Sequence, residues 1–286
     1  MTTLHLPLSR ASRVSRSLRT ADPILLAAGV LCVLLVLMAL LGPLVAPYGP
    51  SETDILAASQ GPGPDHLLGT DALGRDILTR ILYGARLSFA GPGLIVALSL
   101  TLGTGLGILA AWRGGPVDSL LSKVFNVLFA MPGILVVIVA GAVFGGGFWA
   151  PVLSLSLVYT PYIARVVRSS ALTQRNMAYV EACRLAGMTG WRICSRHVLR
   201  NLIPLVLAQA TISFGSALMD FGAASFLGVG IQPPQAEWGL MVSEGQSELL
   251  DGALQQSLCA GLMILISVVA FNILGERLGT RAGGQR

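Results

Sequence analysis

Charge is the first thing this chain lacks. Of its 286 residues only 12% are Asp, Glu, Lys or Arg, against 53% hydrophobic, and the mean hydropathy is +0.73. Soluble domains carry about 25% charged residues, so a water-soluble fold of this length could not cover its own surface. Lysine is nearly absent: 18 of the 19 basic residues are Arg and the other is Lys123. A Walker A phosphate loop ends in Gly-Lys-Ser/Thr. Lys123 stands in Ser122-Lys123-Val124, so that loop is excluded and any ATP used here is hydrolysed by another polypeptide. The four cysteines (Cys32, Cys183, Cys194, Cys259) show neither C-x-x-C spacing nor disulfide-scaffold density. The three histidines are too scattered in sequence for a recognisable metal cluster. The pI near 9.4 reflects Arg, which in a membrane chain marks the cytoplasmic face better than it marks a nucleic-acid site.

What the chain has instead is long apolar runs. A spanning helix needs about 20 mostly apolar residues, and six stretches qualify: Ile24–Val45, Leu87–Trp112, Leu120–Val143, Phe148–Val167, Leu202–Val229 and Leu254–Leu274. The first is too long for a signal-peptide core and reads as a retained helix. Gly145-Gly146-Gly147 between the third and fourth predicts an antiparallel pair. Pro132, Pro151 and Pro161 are expected to kink or begin spans. Gly103-Thr104-Gly105-Leu106-Gly107 looks like a nucleotide loop but lies inside an apolar span, where close helix packing is the better reading. Trp112, Trp149 and Trp238 are expected at membrane interfaces.

Orientation follows from the basic residues. Sixteen of the 19 fall in the N-terminal segment, the second-to-third and fourth-to-fifth connections, and the tail; Arg75, Arg80 and Arg86 fall on the other side. That bias places both termini in the cytoplasm. The acids Glu52, Asp54, Asp65, Asp71 and Asp76 lie in the first outer loop, and Glu237, Glu244, Glu248 and Asp251 in the last. They read either as ordinary solvated loop charges or as a surface for a cationic group or partner protein. Asp220, in the middle of the fifth span, is costly there, at about 2.5–3.5 kcal/mol on insertion scales, so it should face a cavity or a polar partner. A translocation-pathway residue and an interface residue against a sister subunit are both open.

The fourth-to-fifth connection is long, Arg-rich and too apolar for a tether. Tyr179-Val180-Glu181-Ala182-Cys183-Arg184-Leu185-Ala186-Gly187, followed by Thr189 and Trp191, predicts two short helices broken at Gly187, with Thr189 capping the second. Ala182, Leu185 and Ala186 form an apolar stripe at i, i+3 and i+4, suited to a partner's groove.

These residues resemble the EAA loop of binding-protein-dependent ABC importer permeases. A second segment, Leu68-Gly69-Thr70-Asp71, Leu73-Gly74-Arg75-Asp76, Arg80 and Tyr83-Gly84-Ala85-Arg86, resembles the signature before span two in dipeptide, oligopeptide and nickel permeases. A third, Ser225-Phe226-Leu227-Gly228-Val229-Gly230-Ile231-Gln232-Pro233-Pro234 with Glu237-Trp238-Gly239, is similar to the same branch and its C-type subunit. Two positions depart from the pattern: Cys183 replaces an Ala, and Arg200 replaces a Pro, so the helix there is expected to run on towards span five. The resemblance implies an all-α membrane protein of type I ABC importer type, with six transmembrane helices and a cytoplasmic coupling helix. It implies a cytoplasmic segment 1–22, a first helix and outer loop 23–86, a permease core 87–275 containing the coupling loop 169–201, and a tail 276–286. The implied setting is the bacterial cytoplasmic membrane with its lipid. The implied partners are a second homologous permease, two ATPase subunits holding ATP-Mg, a substrate-binding protein and a peptide cargo, with nickel as the alternative cargo. No cofactor or nucleic acid is expected on the chain itself. The competing class is an ion-driven secondary transporter, which would need several intramembrane ionisable groups; Asp220 stands alone and no internal repeat is evident.

Overall fold

The computed structural model describes residues 23–250 and 252–283; the N-terminal arginines Arg10, Arg13, Arg16 and Arg19, with Asp251 and Arg286, lie outside it. The described residues form helices and turns without a strand, in the order α1 (Pro23–Val45), α2 (Ile77–Arg113), α3 (Gly115–Ala130), α4 (Gly133–Phe144), α5 (Trp149–Arg175), α6 (Ala178–Leu185), α7 (Gly190–Ile193), α8 (Leu199–Phe226), α9 (Trp238–Glu244), α10 (Gln246–Leu250) and α11 (Gln255–Gly283).

Five helices are long and apolar enough to cross a membrane, and α3 with α4 supplies a sixth, broken crossing bent by 84°. The break falls where the sequence leads one to expect a kink, at Pro132, which has no N–H to give the preceding turn and begins α4. α2 starts ten residues earlier than its apolar run, because the Asp76 carboxylate caps it by accepting from the Thr79 N–H at 2.7 Å. At 37 residues α2 is about 55 Å long, well beyond the ~30 Å hydrocarbon thickness, so part of it stands clear of the bilayer. Arg80 and Arg86 therefore sit on a helix and not in a loop. At the other end α7 passes through a π-turn, Cys194–Val198, into α8, making one helix from Gly190 to Phe226. The run-on expected from Arg200 is what the fold shows.

α2 packs most extensively on α5. A Cβ on Gly103 would stand 2.9 Å from Ile163, and one on Gly107 would stand 2.6 Å from the Ala164 carbonyl, so the glycine run serves helix contact as expected. α8 packs on α11 in the same manner: a Cβ on Gly275 would meet Ile212 at 2.6 Å. One hydrophobic cluster joins α1, α2, α8, α9 and α11 around Trp238, Phe89 and Met241. Trp238 is thus a correction. It is not an interface residue but is fully buried, edge-on to Phe89, with its indole N–H donating to the Ile81 carbonyl at 3.0 Å.

Candidate functional site

Three places carry the polar chemistry: the arginine-rich end of the bundle, its acidic end, and a cavity beside Asp220.

At the arginine-rich end, α6 closes in a Schellman turn. Met188 N–H donates to the Cys183 carbonyl at 3.1 Å and Gly187 N–H to the Arg184 carbonyl at 2.9 Å, with Gly187 at φ +76°. Thr189 occupies the N-cap position of α7, although its side chain makes no capping bond. The loop is bolted down at its base. Gln174, buried on α5, accepts from Tyr179 Oη at 2.8 Å and from Asn201 Nδ2 at 3.2 Å. Arg175 donates to the Ala111 carbonyl at 2.7 Å, and Arg184 lies over the Trp112 ring at 4.9 Å. Val180 is fully buried with Ile193 and Val198, so it anchors the loop and does not face outward. The stripe Ala182, Leu185 and Ala186 is exposed, with Leu185 87% exposed and Trp191 82%. Glu181 is also exposed and borders a 470 Å³ groove with Arg184 and Leu185. α6 is thus a firmly seated eight-residue helix with its apolar face outward.

At the acidic end Glu52, Asp54 and Asp65 are exposed, as expected of solvated loop charges, but the expectation needs correcting for Asp71, Asp76, Glu237 and Glu248, which are buried. Asp71 Oδ1 accepts from the Leu73 and Arg75 N–H groups at 2.9 Å, and its Oδ2 pairs with Arg75 Nε at 2.6 Å. Arg75 and Arg80 both reach Glu244 Oε2, at 3.2 and 2.6 Å, and Arg80 also faces Asp71 at 3.6 Å. Glu248 accepts from the Ala72 N–H at 2.6 Å, and Asp76 pairs with His66 at 3.0 Å. Thr70 Oγ1 donates to the Ala57 carbonyl and accepts from Gln60 N–H at 2.9 Å. Gly69 and Gly74 adopt φ of +81° and +72°, where the backbones of Gln60 and Asp54 pass too close for any Cβ. The signature residues Gly69, Thr70, Asp71, Gly74, Arg75 and Asp76 are therefore one folded clasp holding the 54–76 loop against α9.

Glu237 deepens the clasp. Its carboxylate caps α9, accepting from the Gly239 and Leu240 N–H groups at 3.0 and 2.9 Å, and takes the Ser88 hydroxyl at 3.0 Å. Burial nevertheless pushes this carboxyl above its ordinary 4.5, with those donors pulling the other way. A carboxyl raised in the native state holds its proton more tightly there than in the unfolded chain. Stability is therefore lost as pH rises from the ordinary value through the raised one. The expected result is that Glu237→Gln flattens the fall of the thermal midpoint as pH rises above the ordinary 4.5. An unchanged slope would assign the titration to Glu248, which burial raises as well.

Asp220, on α8, is half-buried and accepts from Tyr159 Oη of α5 at 2.8 Å. Both line a cavity of about 380 Å³ with Tyr162, Ser213, Ser216 and Gly133, next to the α3–α4 break. Asp220 is thus in a cavity and has a polar partner within its own chain. The sequence alone does not reveal Tyr159, because the two lie 61 positions apart and no local pattern links them.

A polytopic helical bundle with a broken crossing, a cavity beside a carboxylate on a spanning helix and a firmly anchored short helix at one end defines the class: an integral-membrane transport permease. The family model for the binding-protein-dependent transport system inner membrane component matches residues 103–282, and that for the N-terminal TM domain of oligopeptide transport permease C matches 20–62. The chain belongs to the binding-protein-dependent transport system inner membrane component family. It is 38% identical over 251 residues to a di/tripeptide transport system permease protein of Pseudomonas aeruginosa, covering 86% of this chain and 82% of that one. It is 36% identical over 243 residues to a dipeptide transport system permease protein of Alkalihalophilus pseudofirmus (85% and 80%). Against a glutathione transport system permease protein of Pectobacterium atrosepticum it is 35% identical over 253 residues (88% and 84%). In fold it is similar to a chain of the inward-facing MetNI methionine ABC transporter, with a TM-score of 0.58 at 18% identity, covering 71% of this chain and 96% of that one.

Proposed function

We propose that this chain is the pore-forming permease subunit of an ATP-driven importer that moves di- or oligopeptides across the bacterial cytoplasmic membrane into the cell. Relatives named for dipeptide, di/tripeptide and glutathione transport support a peptide cargo. The observation that carries the ATP-driven reading is the loop around Gly187. Its exposed apolar stripe stands on a base fixed by Gln174, Arg175 and Val180, so a push on α6 is passed to α5 and α8 without loss in a flexible linker. Two ATPase subunits holding ATP-Mg supply that push, since the chain itself has no phosphate loop. A second, homologous permease completes the pathway, and a substrate-binding protein delivers cargo to the acidic end. Both termini then lie in the cytoplasm with the arginine-rich end.

The test is to purify the tagged chain with its neighbours and reconstitute the complex in vesicles. ATPase subunits should co-purify, and labelled dipeptide should accumulate only with ATP on the α6 side and binding protein on the other. Uptake driven by an ion gradient without ATP would return the chain to the secondary-transporter class. Accumulation of nickel and not of dipeptide would reassign the cargo.

A further inference from the structure

The cavity beside Asp220 has features that a lipid-facing dimple or a structural contact does not need. In an otherwise apolar lining its wall combines one carboxylate, two phenols and two hydroxyls, from Asp220, Tyr159, Tyr162, Ser213 and Ser216. Such a wall opening onto hydrocarbon would cost several kcal/mol, so it faces water or protein. Among the described residues no cation stands within ion-pair distance of Asp220; the Tyr159 hydroxyl holds one carboxylate oxygen, Oδ2, and leaves Oδ1 free of any described hydrogen bond. Asp71, Asp76, Asp118 and Glu244 each meet an Arg or a His, and the buried Glu237 and Glu248 accept from backbone N–H groups instead. An intramembrane carboxylate with an oriented oxygen and an empty neighbourhood is built for a cation that comes and goes.

Tyr159, Tyr162 and Arg165 fall at i, i+3 and i+6 on α5, so the backbones of Tyr159 and Arg165 are about 9 Å apart along the helix. Arg165 lies 4.1 Å over the ring of Phe129, itself a lining residue of the same cavity, and donates to Asn126 Oδ1 at 2.6 Å. It is exposed and makes no ion pair among the described residues. One side of the cavity thus carries a carboxylate without an ion pair, and the lining residue Phe129 carries on its ring a guanidinium likewise without one, the polarity of a zwitterionic peptide backbone. The α3–α4 break borders the same cavity: Met131 and Gly133, which flank Pro132, both line it.

We propose that this cavity is a station on the translocation pathway that receives the α-ammonium group of the peptide on Asp220 and its α-carboxylate on Arg165, with Tyr159 holding the carboxylate of Asp220 in place. The proposal rests on the peptide-permease reading above and adds the part of the cargo that the membrane subunit reads. Every peptide with free ends presents these two groups, whatever its side chains, so a station of this kind passes many sequences and rejects solutes lacking a terminal amine.

The experiment uses the whole complex in vesicles with ATP and saturating binding protein, and the probe is labelled Ala-Ala beside its N-acetyl form. Wild-type uptake should favour the free amine. Asp220→Asn should lower Ala-Ala uptake about tenfold, and Asp220→Glu should keep most of it, because the charge is what counts. Arg165→Gln should lower it about threefold, its guanidinium being exposed and less valuable. Uptake of Ala-Ala by Asp220→Asn within twofold of wild type would overturn the proposal. If Asp220→Asn fails to assemble with the second permease, Tyr159→Phe decides. A rise in the KM for Ala-Ala supports the station, whereas an unchanged KM makes Asp220 an assembly residue and overturns it. A wild-type complex that hydrolyses ATP but accumulates no Ala-Ala would instead overturn the peptide reading and this proposal with it.

Discussion

Replacing Arg80 by Met is expected to cost about 3–5 kcal/mol of stability, because breaking a buried ion pair from one side leaves its partners uncompensated. Arg80 is fully buried and its guanidinium lies between Glu244 and Asp71. Without it, Arg75 alone faces two carboxylates it already touches, at 2.6 and 3.2 Å. For a chain of this size that loss corresponds to a fall of about 6–20 °C in the thermal midpoint, read in detergent by the fluorescence of buried Trp238. Arg80→Lys should recover only part of it, since an ammonium cannot fork to both acids. Arg80→Met with Glu244→Leu should recover more, because the pair is then removed whole. A midpoint for Arg80→Met within 2 °C of wild type would show that the clasp is held by packing around Trp238 and that its charges are idle.

The clasp also marks where sequence reasoning stops. Arg80 and Glu244 are 164 positions apart, and nothing local to either reveals the other. Each alone looks like a loop charge, so Asp71, Asp76, Glu237 and Glu248 read as surface when they are interior. Glu237 and Trp238 misled in the same way, as a polar and an amphipathic residue beside a span, whose destination depends on how α9 tucks against α2. By contrast, features fixed by local chemistry were legible. Gly187 announced its turn because a left-handed cap between two short helical segments suits glycine above all. Gly103 and Gly107 announced a close helix contact, though not its partner, because small residues spaced in an apolar run have few other uses. Asp220 could be singled out by its cost, but not given its partner. Pro132 signalled an interruption, whereas the 84° bend depends on how α4 then packs on α5.

The largest expected effect on transport is at the Gly187 turn. At φ +76° a side chain with a Cβ is strained by about 1–2 kcal/mol whatever space surrounds it. Here the space is open, so the strain is the whole effect and the fold of the bundle is spared. Gly187→Leu should leave insertion and the thermal midpoint nearly intact while loosening the Met188-to-Cys183 bond that ends α6. If α6 carries the push of the ATPases, a loosened turn lets the helix yield before α5 and α8 move. Uptake of dipeptide should fall about 50-fold, within the range by which two sites are typically coupled. ATP hydrolysis should continue but cease to respond to loaded binding protein. Glu181→Lys should act on the same step by a different cause, reversing the charge beside the groove formed with Arg184 and Leu185 without touching the turn. Val180→Ala separates these from mere damage: Val180 is buried at the base, so its truncation should lower the midpoint by an amount typical of a core cavity. Wild-type uptake by Gly187→Leu would remove α6 from the path of force, whatever docks against it.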